Sequence, residues 1–332
     1  MRATIWYGGH DLRLEERAVP ALGTQDVLVE VVACGVCGTD VHTLENHFPV
    51  YAPPKALGHE TAGIVREVGA GVTTLRPGDA VALDTSVPCG ACFYCREGQP
   101  FLCLQRVSYT GGFADLQVAP AAIAYRLPAG VPVEVGVFAE PLSCCLHALE
   151  RSGMRAGERV AIVGGGAVGQ VLTSLVHAAG ASLLIVSDPE QQRRRTALER
   201  GADLAVNPLS EDLEAVVKEA TDNLGVDVAF EVVGRAETLR DCLRLPRRGG
   251  TVVLVGVAPP TAELTIRPYE IYERELTIRG SFIRSNTFQR AVQLLGRLDL
   301  APLISHRFAL PQVAEAIANV RERRGLKTLV HP

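Results

Sequence analysis

Residues 160–169 read Val160-Ala161-Ile162-Val163-Gly164-Gly165-Gly166-Ala167-Val168-Gly169, a short apolar run that breaks into a glycine-rich turn. The run carries no charge, as expected of a strand buried on both faces. Gly164, Gly166 and Gly169 fit G-x-G-x-x-G, with Val168 just ahead of the third glycine. Alone the pattern is weak. Between a buried strand and the start of a helix it marks a place where backbone comes close to a pyrophosphate. The helix is predicted by Val168, Val171, Leu172, Leu175 and Val176, which recur at i, i+3, i+4, i+7 and i+8 and make one apolar face. Its first amides then face the phosphate charge.

The alternation continues outward. Leu183-Leu184-Ile185-Val186 is the next strand, and Asp188 ends it, 19 residues after Gly169. An acid there accepts hydrogen bonds from an adenosine ribose diol and repels a 2′-phosphate, which argues for NAD over NADP. Arg193-Arg194-Arg195 pulls the other way; Arg193 is placed near the ribose and its neighbours on a solvated helix face. Strand-like runs at 226–233 and 251–257, with helical segments between, complete a βαβ series and so a parallel sheet covered on both faces. No Asp, Glu, Lys or Arg occurs from Val160 to Ser187, long enough for a membrane span. The glycines within it, with Gln170, Ser174 and His177, make it a buried strand–turn–helix instead.

The first third is β-rich: runs at 27–32 and 64–68, then the turn Arg76-Pro77-Gly78-Asp79 ahead of 80–83. After about residue 281 the chain leaves the βαβ pattern and is expected to return to the first domain. A length of 332 residues suits two domains. A net charge of −4 does not advertise nucleic acid or anionic membrane as a partner. The N-terminal residues lack the apolar core of a signal peptide. Nine cysteines, an odd number, then point to a reducing cytoplasm and to metal or catalytic roles rather than disulfides.

Four of them, Cys89, Cys92, Cys95 and Cys103, are spaced C-x2-C-x2-C-x7-C. Four thiolates complete a zinc tetrahedron and leave no open position, so this site holds a lobe and activates nothing. A zinc-bearing nucleic-acid module would add a basic stripe, and only Arg96 and Arg106 lie nearby. A catalytic zinc needs three ligands and an open place. Cys37 and His59 are the candidates. Cys34 and Cys37 form a C-x-x-C, but without the strand–helix setting of a redox pair; Cys34 is read as packing.

These residues resemble the zinc-dependent medium-chain alcohol dehydrogenases, in their sorbitol/polyol dehydrogenase-like branch. The zinc signature is matched by Gly58-His59-Glu60-Thr61-Ala62-Gly63, running on to Gly69 and Val72, and the catalytic-cysteine segment by Cys37-Gly38-Thr39-Asp40-Val41-His42. The four cysteines match the structural-zinc lobe, and Glu140-Pro141-Leu142-Ser143 the segment that gives a third ligand. Phe230-Glu231-Val232-Val233-Gly234 and Val255-Gly256-Val257 resemble the nicotinamide-side strands.

The resemblance implies an α/β chain: a GroES-like β-rich catalytic domain (residues 1–141 and 284–332) and a Rossmann doubly wound parallel-sheet domain (142–283). It implies two zinc ions per chain and NAD. Cys37, His59 and Glu140 would hold the catalytic zinc; Glu60 either ligates directly or swings in and out. Asp40 would orient His59. Thr39 would take a substrate's hydroxyl proton and His42 pass it to solvent, while hydride goes to nicotinamide beside Val233 and Val257. Lys327 matches a position near the cofactor phosphates. The substrate implied is a small secondary alcohol, a polyol or cyclitol, with a threonine-type amino alcohol as the alternative. Polyol enzymes carry Arg-Tyr where this chain has Ile283-Arg284, which removes a pair for sugar hydroxyls. Arg284, His47, Phe48 and Tyr51 line the pocket or simply pack. Residues 275–280, preceded by Tyr269-Glu270-Ile271-Tyr272, resemble a dimer-forming sheet edge, implying a homodimer or homotetramer.

Overall fold

A computed structural model describes residues 1–45 and 51–332. The chain divides into two units, Met1–Ser143 with Ser285–Pro332, and Cys144–Arg284. His47 and Phe48 lie outside the described residues.

The first unit is built on β1 (Asp26–Val36), whose later residues are buried on both faces. Cys37 ends it and caps α1 (Gly38–Leu44). Strand β2 (Glu60–Val68) pairs antiparallel with β1 and sets Glu60 opposite Gly35 and Thr61 opposite Cys34. Beneath this end of the sheet lies a core of Cys34, Val36, Val41, Leu57 and Phe113. Helix α2 (Ala139–Ser152) carries the chain out of the unit, with Glu140 in its first turn.

The second unit contains β3 (Arg159–Val163), α3 (Ala167–Ala178), β4 (Leu183–Ser187), β5 (Leu204–Val206), β6 (Val226–Glu231), α4 (Ala236–Cys242), β7 (Pro246–Leu254), α5 (Pro268–Arg274) and β8 (Thr277–Gly280). The sheet order is β5-β4-β3-β6-β7-β8, all parallel. This is the doubly wound order in which the strand sequence reverses beside β3, and ligands bind at the carboxyl edge there. Val160, Ala161, Ile162, Ile185 and Ala229 are buried, which explains why these strands read as unbroken apolar runs. Among the described residues no helix is long and apolar enough to cross a membrane. The charge-free stretch from residue 160 is strand, helix and strand.

Two boundaries differ from the sequence reading. β6 ends at Glu231 rather than 233, because the buried Glu231 carboxylate accepts the N–H groups of Val233 (3.0 Å) and Gly234 (2.9 Å) and turns the chain. β7 starts at Pro246 rather than 251; the polar Arg247-Arg248-Gly249-Gly250 gives no apolar signal, yet Pro246 already faces Val226.

The chain re-enters the first unit after residue 284. Its last strand, β9 (Lys327–His331), pairs antiparallel with β1 on the side opposite β2, setting Leu329 against Gly35.

Candidate metal centres and dinucleotide site

The end of β1 gathers residues from three strands and a helix. Cys37, His59 and Glu60 each point a ligand atom into one group whose atoms lie within 4.8 Å of one another. The first turn of α1 fixes one wall: the Cys37 N–H donates to Asp40 Oδ2 at 2.9 Å. The other Asp40 oxygen lies 3.6 Å from His59 Nδ1, with both groups buried. With Nδ1 turned to Asp40, the other ring nitrogen is left for a metal. Burial alone would push the His59 pKa down; the charge of Asp40 and the hydrogen bonds of Asp40 and Cys37 outweigh it and raise it well above the usual value. The group thus favours positive charge at its centre, which a divalent cation supplies.

Glu60 is buried and forms an ion pair with Lys327, which also reaches the Val36 carbonyl at 3.4 Å. Burial opposes both charges; the Glu60 charge outweighs it at Lys327 and holds that amine above an ordinary lysine. Lys327 therefore stands beside the metal group. Gly35 makes room for the pair: a Cβ there would lie 1.9 Å from Glu60 Oε2 and 2.7 Å from Lys327 Cε.

Glu140 is not among the three grouped residues, though its charge acts on Glu60, Lys327 and Tyr51. Thr39 Oγ1 lies 3.7 Å from the Cys37 sulfur. His42 follows one turn later on α1, on the same face. Tyr51 packs on the neighbouring core, and burial pushes its hydroxyl pKa up. Cys34 is fully buried, with a thiol pushed up to about 12 by burial.

The four clustered cysteines also converge. Sulfur–sulfur distances of 3.6 Å (Cys92–Cys95) and 4.0 Å (Cys89–Cys95) match the edge of a tetrahedron. For Zn–S bonds near 2.3 Å that edge is about 3.8 Å. Backbone N–H groups aim at the sulfurs: Cys92 to Cys89 and Cys89 to Cys103, each 3.3 Å, and Gln105 to Cys103 at 3.4 Å. Such donors stabilise thiolate, and backbone hydrogen bonding brings Cys92 down to about 6. Burial and its sulfur neighbours push Cys95 up to about 12, so the set ionises together only around a cation. None of the nine cysteines is in a disulfide.

In the second unit, Gly164, Asp188, Val233 and Val257 stand beyond the carboxyl ends of β3, β4, β6 and β7. The glycines have separate jobs. Gly164 has φ +113°, and a Cβ on Gly169 would lie 2.0 Å from the Gly164 carbonyl, so these two shape the turn. Gly166 caps α3 without a side-chain partner, and a Cβ on it would meet nothing nearer than Arg193 Nη1 at 3.9 Å. That open face suits a pyrophosphate at the helix N-terminus. The buried Asp188 accepts the Gly165 N–H on Oδ2 and the Glu190 N–H on Oδ1, each at 2.8 Å, with Arg193 Nη1 3.8 Å from Oδ2.

Some contributors carry no local signal. Lys327 was marked only by resemblance, which did not point to Glu60, and Gln170 is a lone amide in an apolar helix. Gln170 Nε2 donates to the Gly165 carbonyl (2.8 Å) and the Arg193 carbonyl (2.9 Å), tying the glycine turn to Arg193. Arg284 closes the second unit, buried, after Ile283 at φ +46°, a strained value for a β-branched residue.

Comparison with known proteins follows this geometry. Residues 23–129 match the alcohol dehydrogenase GroES-like domain and residues 167–297 the zinc-binding dehydrogenase domain. Sorbitol dehydrogenase of Gallus gallus is 34% identical, over 99% of this chain and 95% of its own. L-idonate 5-dehydrogenase of Vitis vinifera is 36% identical, over 91% and 86%. The crystal structure of a zinc-binding dehydrogenase from Sinorhizobium meliloti bound to NADP superposes with a TM-score of 0.96 at 37% identity, covering 100% of this chain and 99% of that one.

Proposed function

The chain belongs to the zinc-dependent medium-chain alcohol dehydrogenase family, in its polyol dehydrogenase-like branch, and on that premise we propose that it oxidises a secondary hydroxyl of a sugar alcohol or cyclitol with NAD. The grouping of Cys37, His59 and Glu60 carries the reading. Cys37, His59 and Glu60 would hold a zinc ion whose chemistry, when bound, is to lower the pKa of a hydroxyl, with a dinucleotide as hydride acceptor. Glu140 is a further carboxylate for the same ion. Asp40 fixes the His59 ring. The Thr39 hydroxyl takes the substrate proton and His42 passes it to solvent. Gly164, Gly166, Val168 and Gly169 would hold the pyrophosphate of the dinucleotide, Val233 and Val257 its nicotinamide, and Arg193 its ribose.

Asp188 supports NAD, since its carboxylate opposes a 2′-phosphate. The NADP-bound relative and the nearby arginines make this a point to measure. Ile283-Arg284 implies that sugar hydroxyls are read differently from enzymes with Arg-Tyr there. Nine cysteines without a disulfide fit the cytoplasm. The outer strand β8, beside the exposed Tyr269 (69%) and Tyr272 (79%), fits a homodimer or homotetramer.

The test is reduction of NAD and NADP by the zinc-loaded protein with sorbitol, L-idonate, inositols and threonine. A polyol or cyclitol should give the highest kcat/KM, with NAD preferred. Threonine as best substrate would replace the substrate reading. No reduction with any alcohol would overturn the whole.

A further inference from the structure

The second unit holds a concavity at the other end of its sheet. β6 and β7 run parallel to β3, so their amino ends, Val226 and Pro246, lie away from Gly164 and Asp188. A strand the length of β6 spans roughly 17 Å. Over those amino ends opens a cavity of about 410 Å³, floored by Val217, Leu245 and Pro246. That volume lies within the roughly 300–1,000 Å³ of small-molecule sites. One wall is bare backbone: Gly225 has φ +94°, and a Cβ on it would lie 2.6 Å from the Leu245 carbonyl.

The charges around the cavity do not cancel. Its three carboxylates are each taken: Glu214 by Lys218 at 2.7 Å, Glu273 by Arg248, and Glu270 by Arg267 at 3.4 Å. Arg244 and Arg274 also line it, and among the described residues neither has a carboxylate within ion-pair distance. Asp241 feels the charge of Arg244 only from farther off. Arg274 is pinned instead to backbone carbonyls, those of Leu243 (3.1 Å), Arg244 (3.3 Å) and Pro246. These bonds fix its guanidinium against the backbone of residues 243–246, at the cavity edge that Arg244 also lines, without neutralising it. With the three carboxylates paired to Lys218, Arg248 and Arg267, the two guanidiniums of Arg244 and Arg274 are left over an apolar floor, the charge an oxyanion would neutralise.

We propose that this cavity binds a phosphate-bearing small molecule, its oxyanion held between Arg244 and Arg274. The site is separate from the cofactor edge and does not depend on which alcohol is oxidised.

Inorganic phosphate is titrated calorimetrically into the full-length protein saturated with NAD, which occupies the other phosphate site. Wild type should show saturable binding, about tenfold weaker in R244Q for one lost charge-assisted contact and absent in R244E. Arg244 is exposed, so both variants should fold. The proposal is overturned if no saturable binding occurs, if R244Q and R244E bind as wild type does, or if chloride at equal ionic strength gives the same response.

Discussion

Glu60 and Lys327 form an ion pair in which the two side chains are 2% and 4% exposed, at the end of the strand that delivers Cys37. Each charge is tolerable there only because of the other. Removing one partner of such a pair leaves an uncompensated buried charge, at a cost of about 3–5 kcal/mol. Lys327→Met should therefore lose stability of that order in urea denaturation of the metal-stripped protein. The double variant E60Q/K327M should lose clearly less than the two single losses added. Strict additivity would mean that the pair is not coupled as its burial requires.

Gly35 sets the space for that pair. A methyl at Gly35 would overlap Glu60 Oε2 at 1.9 Å, and β1 is held on both sides by β2 and β9. Overpacking of this kind costs about 1–3 kcal/mol. Gly35→Ala should both destabilise the protein and lower kcat, because the carboxylate that moves belongs to the metal group. A variant with wild-type kcat and unchanged zinc content would show that the position of Glu60 is not critical.

What the sequence displayed was what depends on near neighbours. The turn at 164–169 is legible because backbone sterics act within six residues. The four-cysteine lobe is legible because short Cys–x2–Cys steps restrict what a chain can do. The pairing of Glu60 with Lys327 has no such signal. The two lie far apart in sequence and meet only because β2 and β9 flank β1. Glu140 is similar: its segment was recognisable by resemblance, but whether it or Glu60 stands with Cys37 and His59 is decided by packing. The start of β7 was hidden by Arg247-Arg248-Gly249-Gly250, where pairing with a neighbour overrides weak local preference.

The cysteine lobe makes a separable prediction. Cys92→Ser should reduce zinc from two ions per chain towards one and lower the thermal midpoint. Cys37→Ser should remove the other ion and abolish turnover. Elemental analysis beside calorimetry distinguishes them. If C92S kept two zinc ions, the tetrahedral arrangement of Cys89, Cys92, Cys95 and Cys103 would not be a metal site.

Cofactor choice turns on Asp188. Its carboxylate sits against the glycine turn through the Gly165 N–H. Asp188→Asn keeps an acceptor for that bond and removes the charge. The ratio of kcat/KM for NADP over NAD should rise by at least about fivefold, the scale of one charge–charge term of about 1 kcal/mol when water screens it fully. If the ratio stays constant, discrimination lies elsewhere, with Arg193 the next position to change.

Asp227 predicts the acid behaviour of the second unit. It accepts the Arg159 N–H at 2.8 Å and Arg159 Nε at 3.1 Å, and pairs with Arg247, tying the amino ends of β3, β6 and β7 together. Burial alone would raise its pKa, but the bonds from Arg159 and Arg247 outweigh burial and bring it from 3.8 down to about 2. A carboxyl with a depressed folded pKa contributes stability that is complete above its unfolded value and vanishes as it is protonated in the fold. The contribution is on the order of 2 kcal/mol, lost as pH falls from about 4 to about 2. Asp227→Asn should be less stable at neutral pH by a similar amount and should show a shallower loss between those limits. Denaturant midpoints for both proteins across that window test it; parallel pH profiles would place the acid sensitivity on other carboxylates.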